Sequence, residues 1–143
     1  MVYVLRKIEP ESLKNMKKLI ILFIATVFAA NIYAADYPDV TITDLKSAIA
    51  EKKVTVIDVN GSKSYNKGHI PTAINFDEHE NNLAAVLPKD KDALIVAYCG
   101  GPRCKAYKDA ASAAEKLGYK NVKHLSAGIA GWKEAGEKME KAK

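Results

Sequence analysis

Residues 93–125 constrain the fold more than any other stretch of the chain. They hold an apolar run over 93–98, a helical pattern from near Lys105 to Leu117 that Gly118 closes, and a second strand-like piece over 121–125. Strand, helix and strand joined this closely must pair in parallel, because a crossover helix returns the chain to the same end of the sheet. A comparable run at 54–59 is also short, branched and apolar, and it too ends in a glycine-containing turn. Runs without polar alternation suit strands covered on both faces. The expectation is an α/β fold with one open parallel sheet between two layers of helices. Residues 73–76 would add a short strand and 129–135, with Trp132, a closing helix. Thr43 is expected to cap a helix over 44–52 that turns Leu45, Ala48 and Ile49 inward. In the helix after the 93–98 strand, Ala106, Ala110, Ala113 and Leu117 form the apolar stripe, and Lys105, Lys108, Asp109, Ser112 and Glu115 take the wet side.

The chain has 143 residues, 48% hydrophobic and 27% charged, which suits one folded domain rather than two. Its net charge of +5 is uneven. Residues 1–34 carry five basic side chains against two acids, which leaves +2 for the remainder. A balance that small, with lysines scattered among acids, argues against nucleic-acid binding. The pair Lys17 and Lys18, the apolar run over 19–30 and the small residues Ala34 and Ala35 follow the order of a secretory signal peptide. Cleavage after Ala34 would leave a domain over 35–143, periplasmic or secreted, with Met16 as the true start and residues 1–15 as an over-extension of the reading frame. The competing reading is an uncleaved membrane anchor, for which the apolar run is short.

In open parallel sheets, ligands bind beyond the carboxyl ends of the strands, which directs attention to the turn after Tyr98. It reads Cys99, Gly100, Gly101, Pro102, Arg103, Cys104 and then Lys105 at the expected helix start. The two glycines can adopt positive backbone angles and let their N–H groups curl around an anion. Pro102 has no N–H, so the cradle would come from Gly100, Gly101, Arg103, Cys104 and Lys105, reinforced by the helix N-terminus. A cysteine aimed into such a ring is held as a thiolate, with Arg103 and Lys105 adding charge, which makes Cys99 the candidate nucleophile. The alternative is that Cys99 is a small buried apolar residue.

With this loop the sequence resembles a rhodanese-homology domain from Val56 to about Gly136. Three places match in order and spacing. The first is Ile57, Asp58 and Val59 leading to Gly68, His69, Ile70, Pro71 and Thr72. The second is Tyr98 and Cys99 with the loop. The third is Gly118, Tyr119, Asn121 and Val122, then Gly128, Ile129 and Trp132. The resemblance implies a parallel sheet of about five strands and a sulfurtransferase. Cys99 would take the outer sulfur of a donor such as thiosulfate, hold it as a persulfide, and pass it to cyanide, a thiol or a protein acceptor. The backbone N–H groups from Gly100 to Cys104 would hold the persulfide, and Arg103 an anionic donor. A six-residue loop, counted over 99–104, goes with sulfur rather than phosphate or arsenate in that family. No cofactor is implied. The chain departs from the family pattern at Asn60, where arginine is frequent, at Thr72, and at Ala127.

Cys104 has three readings: a resolving thiol that attacks the Cys99 persulfide, a disulfide partner of Cys99, or a bystander at the helix start. The bystander reading is favoured because a disulfide across the loop would collapse the anion cradle. His69 is expected to brace its turn and Asp58 the backbone below the site, and Trp132 to fill the core. His69, His79 and His124 share no ligand spacing, so no metal site is expected. Two other functions compete: a module that binds a persulfide, an anion or a partner without turnover, and a thiol-disulfide redox protein using Cys99 and Cys104.

Overall fold

The computed structural model describes residues 37–142; the signal-peptide reading of 1–34 and its cleavage site lie outside them. The apolar runs become the strands β1 (Val54–Asp58) and β3 (Leu94–Tyr98), joined by β2 (Ile74–Asn75) and β4 (Val122–Leu125). All pairings are parallel, in the order β2-β1-β3-β4. The named strands number four rather than five. Residues 37–40 supply one further parallel bridge, Asp39 to His124, with Val40 N–H donating to His124 O and His124 N–H to Pro38 O. The chain turns away after this single contact because Thr41 already caps α1 (Ile42–Ala50).

That cap corrects the expectation for Thr43. The side chain of Thr41 accepts from Asp44 N–H, and the helix begins two residues earlier than expected. Between β1 and β2 lies α2 (Ser62–Lys67), and after β2 come α3 (Phe76–His79) and a 3-10 turn (Glu80–Ala85). The crossover from β3 to β4 is α4 (Tyr107–Lys116), and the last helix is α5 (Gly128–Glu134).

Alternation along the strands sends side chains into two apolar layers. Ile57, Ile95, Ala97 and Cys99 face one layer, closed by Tyr107, Ala110, Ala111 and Ala114 of α4. Val56, Val96, Tyr98 and Leu125 face the other, closed by Leu45 of α1 and Trp132 of α5. Helices therefore cover both faces, as the uninterrupted apolar strands require. The face that α4 buries differs from the expected stripe. Ala106 is exposed, Leu117 stands 36% exposed, and the buried set is Tyr107, Ala110, Ala111 and Ala114. Tyr107 is the only large apolar side chain at the start of an alanine-rich helix, so its burial sets the rotation.

The order β2-β1-β3-β4 reverses direction between β1 and β3. Such a switch point separates the turns leaving two adjacent strands and opens a crevice at their carboxyl ends. The turns after β1 and β3 and the start of α5 after β4 all meet there.

Candidate active-site loop

Asp58 ends β1 at 1% exposure and is braced from three sides. Its Oδ1 accepts from Asn60 N–H at 2.7 Å and from Asn60 Nδ2 at 2.9 Å, and its Oδ2 accepts from the Tyr98 hydroxyl. That hydroxyl in turn accepts from Ile70 N–H at 3.0 Å. Burial, first, and then the Asp58 carboxylate push the Tyr98 phenol far above its ordinary pKa, which keeps it a donor. One chain of hydrogen bonds thus ties the ends of β1 and β3 to the His69 turn. Asn60, where arginine is frequent in the resembling family, serves Asp58 as a neutral donor and lies beside Gly100, 3.8 Å from where a Cβ would stand.

The turn itself is brace-work as well. His69 is buried, donates through Nδ1–H to Tyr65 O at 2.9 Å, and stacks on the Tyr65 ring at 3.7 Å between centroids. Trp132 is core, with its Nε1–H donating to Lys138 O at 2.9 Å. His124 belongs to another neighbourhood, stacked on Tyr107. Among the described residues no group of three His, Cys, Asp or Glu side chains is placed to hold a metal ion.

The loop after β3 is shaped from below by α5. Ile129 N–H donates to Cys99 O at 2.9 Å and Ala130 N–H to Gly100 O at 3.0 Å. Two donors that a helix start normally leaves unpaired are used on the loop. Because the described peptides are all trans, each N–H points opposite the C=O of its own peptide unit. With the carbonyls of Cys99 and Gly100 turned to α5, the N–H groups of Gly100 and Gly101 turn away from it. Those amides, and those of Arg103 and Lys105, donate to no acceptor among the described residues. Arg103 and Lys105 are exposed and make no ion pair with them.

Three details differ from the sequence reading. Neither Gly100 nor Gly101 has a positive φ; the positive-φ glycine against this loop is Gly128, at +58°, where an added Cβ would lie 2.5 Å from Gly101 N and 2.6 Å from Cys99 O. Gly128 is the residue that lets α5 approach the loop, and a glycine opening a helix without a capping side chain was the available signal. Cys104 does not belong to the set of free amides, since its N–H donates to Gly101 O at 2.9 Å. The helix begins at Tyr107 rather than near Lys105, because that turn and the Lys108 N–H to Lys105 O bond fill the intervening residues.

The sulfurs bring the largest correction. Cys99 and Cys104 form a disulfide, with Cα atoms 6.2 Å apart, so Cys104 is not a bystander. Cys99 is 3% exposed, on the same strand face as Ile95 and Ala97, whereas Cys104 is only partly buried. The bond closes without consuming the amides of Gly100, Gly101, Arg103 or Lys105, contrary to the expected collapse.

The rhodanese-like domain profile matches residues 41–135. An HTH-type transcriptional regulator of Mycobacterium tuberculosis is 36% identical over 111 residues, which cover 77% of this chain and 48% of that protein. The chain thus spans about half the length of that relative. Among solved structures, the rhodanese-like domain of an Anabaena protein aligns with a TM-score of 0.59 and 26% identity over 73% of this chain and 80% of that one. A human single-domain sulfurtransferase shares the fold at a TM-score of 0.56 and 23% identity, over 68% of this chain and 96% of that one. With its parallel sheet, its loop after β3 and a matching profile over most of the described residues, the chain belongs to the rhodanese-like domain family.

Proposed function

We propose that the reduced protein is a sulfurtransferase with Cys99 as its nucleophile. The observation that carries this reading is the orientation of the loop peptides: α5 holds the carbonyls of Cys99 and Gly100, which leaves the amides of Gly100 and Gly101 on the opposite side with no acceptor among the described residues. Such amides, with Arg103 and Lys105 in the same loop making no ion pair among the described residues, favour an anion, whether a thiolate, a persulfide or a thiosulfate oxygen. In the first half-reaction the Cys99 thiolate attacks the outer sulfur of thiosulfate, a sulfur–sulfur bond forms to Cys99, and sulfite leaves with the electron pair. In the second, an acceptor such as cyanide attacks that outer sulfur and regenerates the thiolate. The disulfide form is inactive in this scheme, because its Cys99 sulfur carries no free electron pair of thiolate character. Export by the signal over 16–34 is part of the same proposal, and N-terminal sequencing of the mature protein tests it.

Pre-reduced protein given thiosulfate and cyanide should form thiocyanate with turnover, and Cys99→Ser should lower the rate to the uncatalysed background. Thiocyanate formation that survives Cys99→Ser would overturn the assignment. The disulfide favours a second reading, a thiol-disulfide redox protein, which predicts no thiocyanate but reduction of a disulfide substrate by the dithiol form.

A further inference from the structure

We infer that Cys104 resolves the Cys99 persulfide within the same chain, so that the protein releases sulfide from a sulfane-sulfur donor at the expense of a dithiol. This rests on the sulfurtransferase reading and adds a second fate for the bound sulfur.

The geometry begins with reach. The Cα atoms of Cys99 and Cys104 lie 6.2 Å apart, inside the span that a disulfide bridges, and the bond between them is formed. No rearrangement of the strand is needed for the two sulfurs to meet. Reach within one loop gives an intramolecular thiol a large advantage over thiols in solution, since no association entropy is lost at the reacting moment.

Position separates the two sulfurs. Cys99 is almost wholly buried, whereas Cys104, packed against the same core, is only partly buried. The inner sulfur of a Cys99 persulfide is therefore screened from bulky thiols in solution and adjacent to Cys104. The backbone separates their duties as well. The Cys104 N–H is spent on Gly101 O, so its contribution to the loop is its sulfur and not a place in the anion cradle.

The step balances as follows. The Cys104 thiol, losing its proton, attacks the inner sulfur of the Cys99 persulfide and forms the Cys99–Cys104 bond. The bond from Cys99 to the outer sulfur breaks, and that sulfur leaves with the electron pair and the proton as hydrosulfide. The sulfane sulfur is reduced and the two cysteine sulfurs are oxidised. A dithiol, small or carried by a protein, restores the enzyme by thiol-disulfide exchange. It would attack the more open Cys104 sulfur and expel Cys99 as a thiolate. Cyanide and Cys104 thus compete for one persulfide, cyanide at the outer sulfur and Cys104 at the inner.

The test is a single turnover. Wild type and Cys104→Ser are fully reduced, freed of reductant, and mixed with thiosulfate without oxygen or cyanide. Sulfide and sulfite are measured in solution, and intact mass is measured on the protein. Wild type should release stoichiometric sulfide together with sulfite and end as the Cys99–Cys104 disulfide. Cys104→Ser should release sulfite, gain one sulfur atom and lose the sulfide signal. A small dithiol added afterwards should restore further rounds in wild type. If wild type also stops with one added sulfur and no sulfide, the resolving role is overturned while the sulfurtransferase reading stands. If neither protein releases sulfite or gains sulfur, the sulfurtransferase reading fails, and this inference with it.

Discussion

The loop after β3 depends on one side chain that is missing. Gly128 opens α5 at φ +58°, and a Cβ there would lie 2.5 Å from Gly101 N, 2.6 Å from Cys99 O and 2.7 Å from Gly100 C. Those neighbours are backbone atoms and cannot rotate aside as a flexible side chain would. Gly128→Ala therefore combines a left-handed conformation with overlap, at a cost of about 2–4 kcal/mol. Thermal denaturation should show a fall in Tm of roughly 10 °C or more, and thiocyanate formation should fall further than the loss of folded protein explains. An unchanged Tm with full turnover would mean that α5 does not shape the loop. The residues around Asp58 illustrate a different economy. A buried carboxylate without partners would be costly, and Asn60 and the Tyr98 hydroxyl supply the required bonds, while the Ile70 amide donates to that hydroxyl. Asp58 and His69 were legible as bracing residues. The roles of Asn60 and the Tyr98 phenol were not, because each depends on a neighbour far away in sequence.

At the scale of elements, the rotation of α4 decides which alanines lie beneath it. Ala110, Ala111 and Ala114 are fully buried against the sheet, and Ala106 is exposed. A helix made largely of alanine carries little contrast between faces, so its periodicity alone could not place the stripe. The outcome is testable by size. Ala110→Leu should overpack the layer and cost about 1–3 kcal/mol in chemical denaturation. Ala106→Leu, on the wet side, should change stability by less than about 0.5 kcal/mol. Equal effects at the two positions would contradict the packing described. Strands β1 and β3 were easier to locate, because short runs rich in branched apolar residues, Val54, Val56 and Ile57 in one and Leu94, Ile95 and Val96 in the other, have few other uses in a domain of this size. Their neighbour at the far edge, the segment over 37–40, lacks such a run, and its single bridge to His124 left no trace in the pattern.

Across the whole molecule, the segment after α5 ties the last helix back to the turn before β2. His69 and Glu140 exchange two backbone hydrogen bonds of 2.9 and 3.0 Å, and the Glu140 carboxylate accepts from Thr72 N–H at 3.0 Å. Thr72 has φ +69°, a conformation that favours glycine, and this bond helps to hold it. Deleting residues 139–143 removes all three bonds and the Met139 packing over Gly68, at a cost of about 2–4 kcal/mol by urea denaturation. A truncated protein as stable as the full chain would show that this strap is dispensable. The sequence by itself determined the parallel sheet with helices on both faces, the position of the glycine-containing loop after Tyr98 and the family, because these rest on local periodicity and on residues adjacent in the chain. Only the tertiary structure decided that Cys99 is buried and joined to Cys104, that α5 orients the loop amides, and that Gly128 rather than Gly100 or Gly101 carries the positive φ. Those features arise where β1, β3 and α5 converge, and contacts between distant segments leave no period or spacing to read.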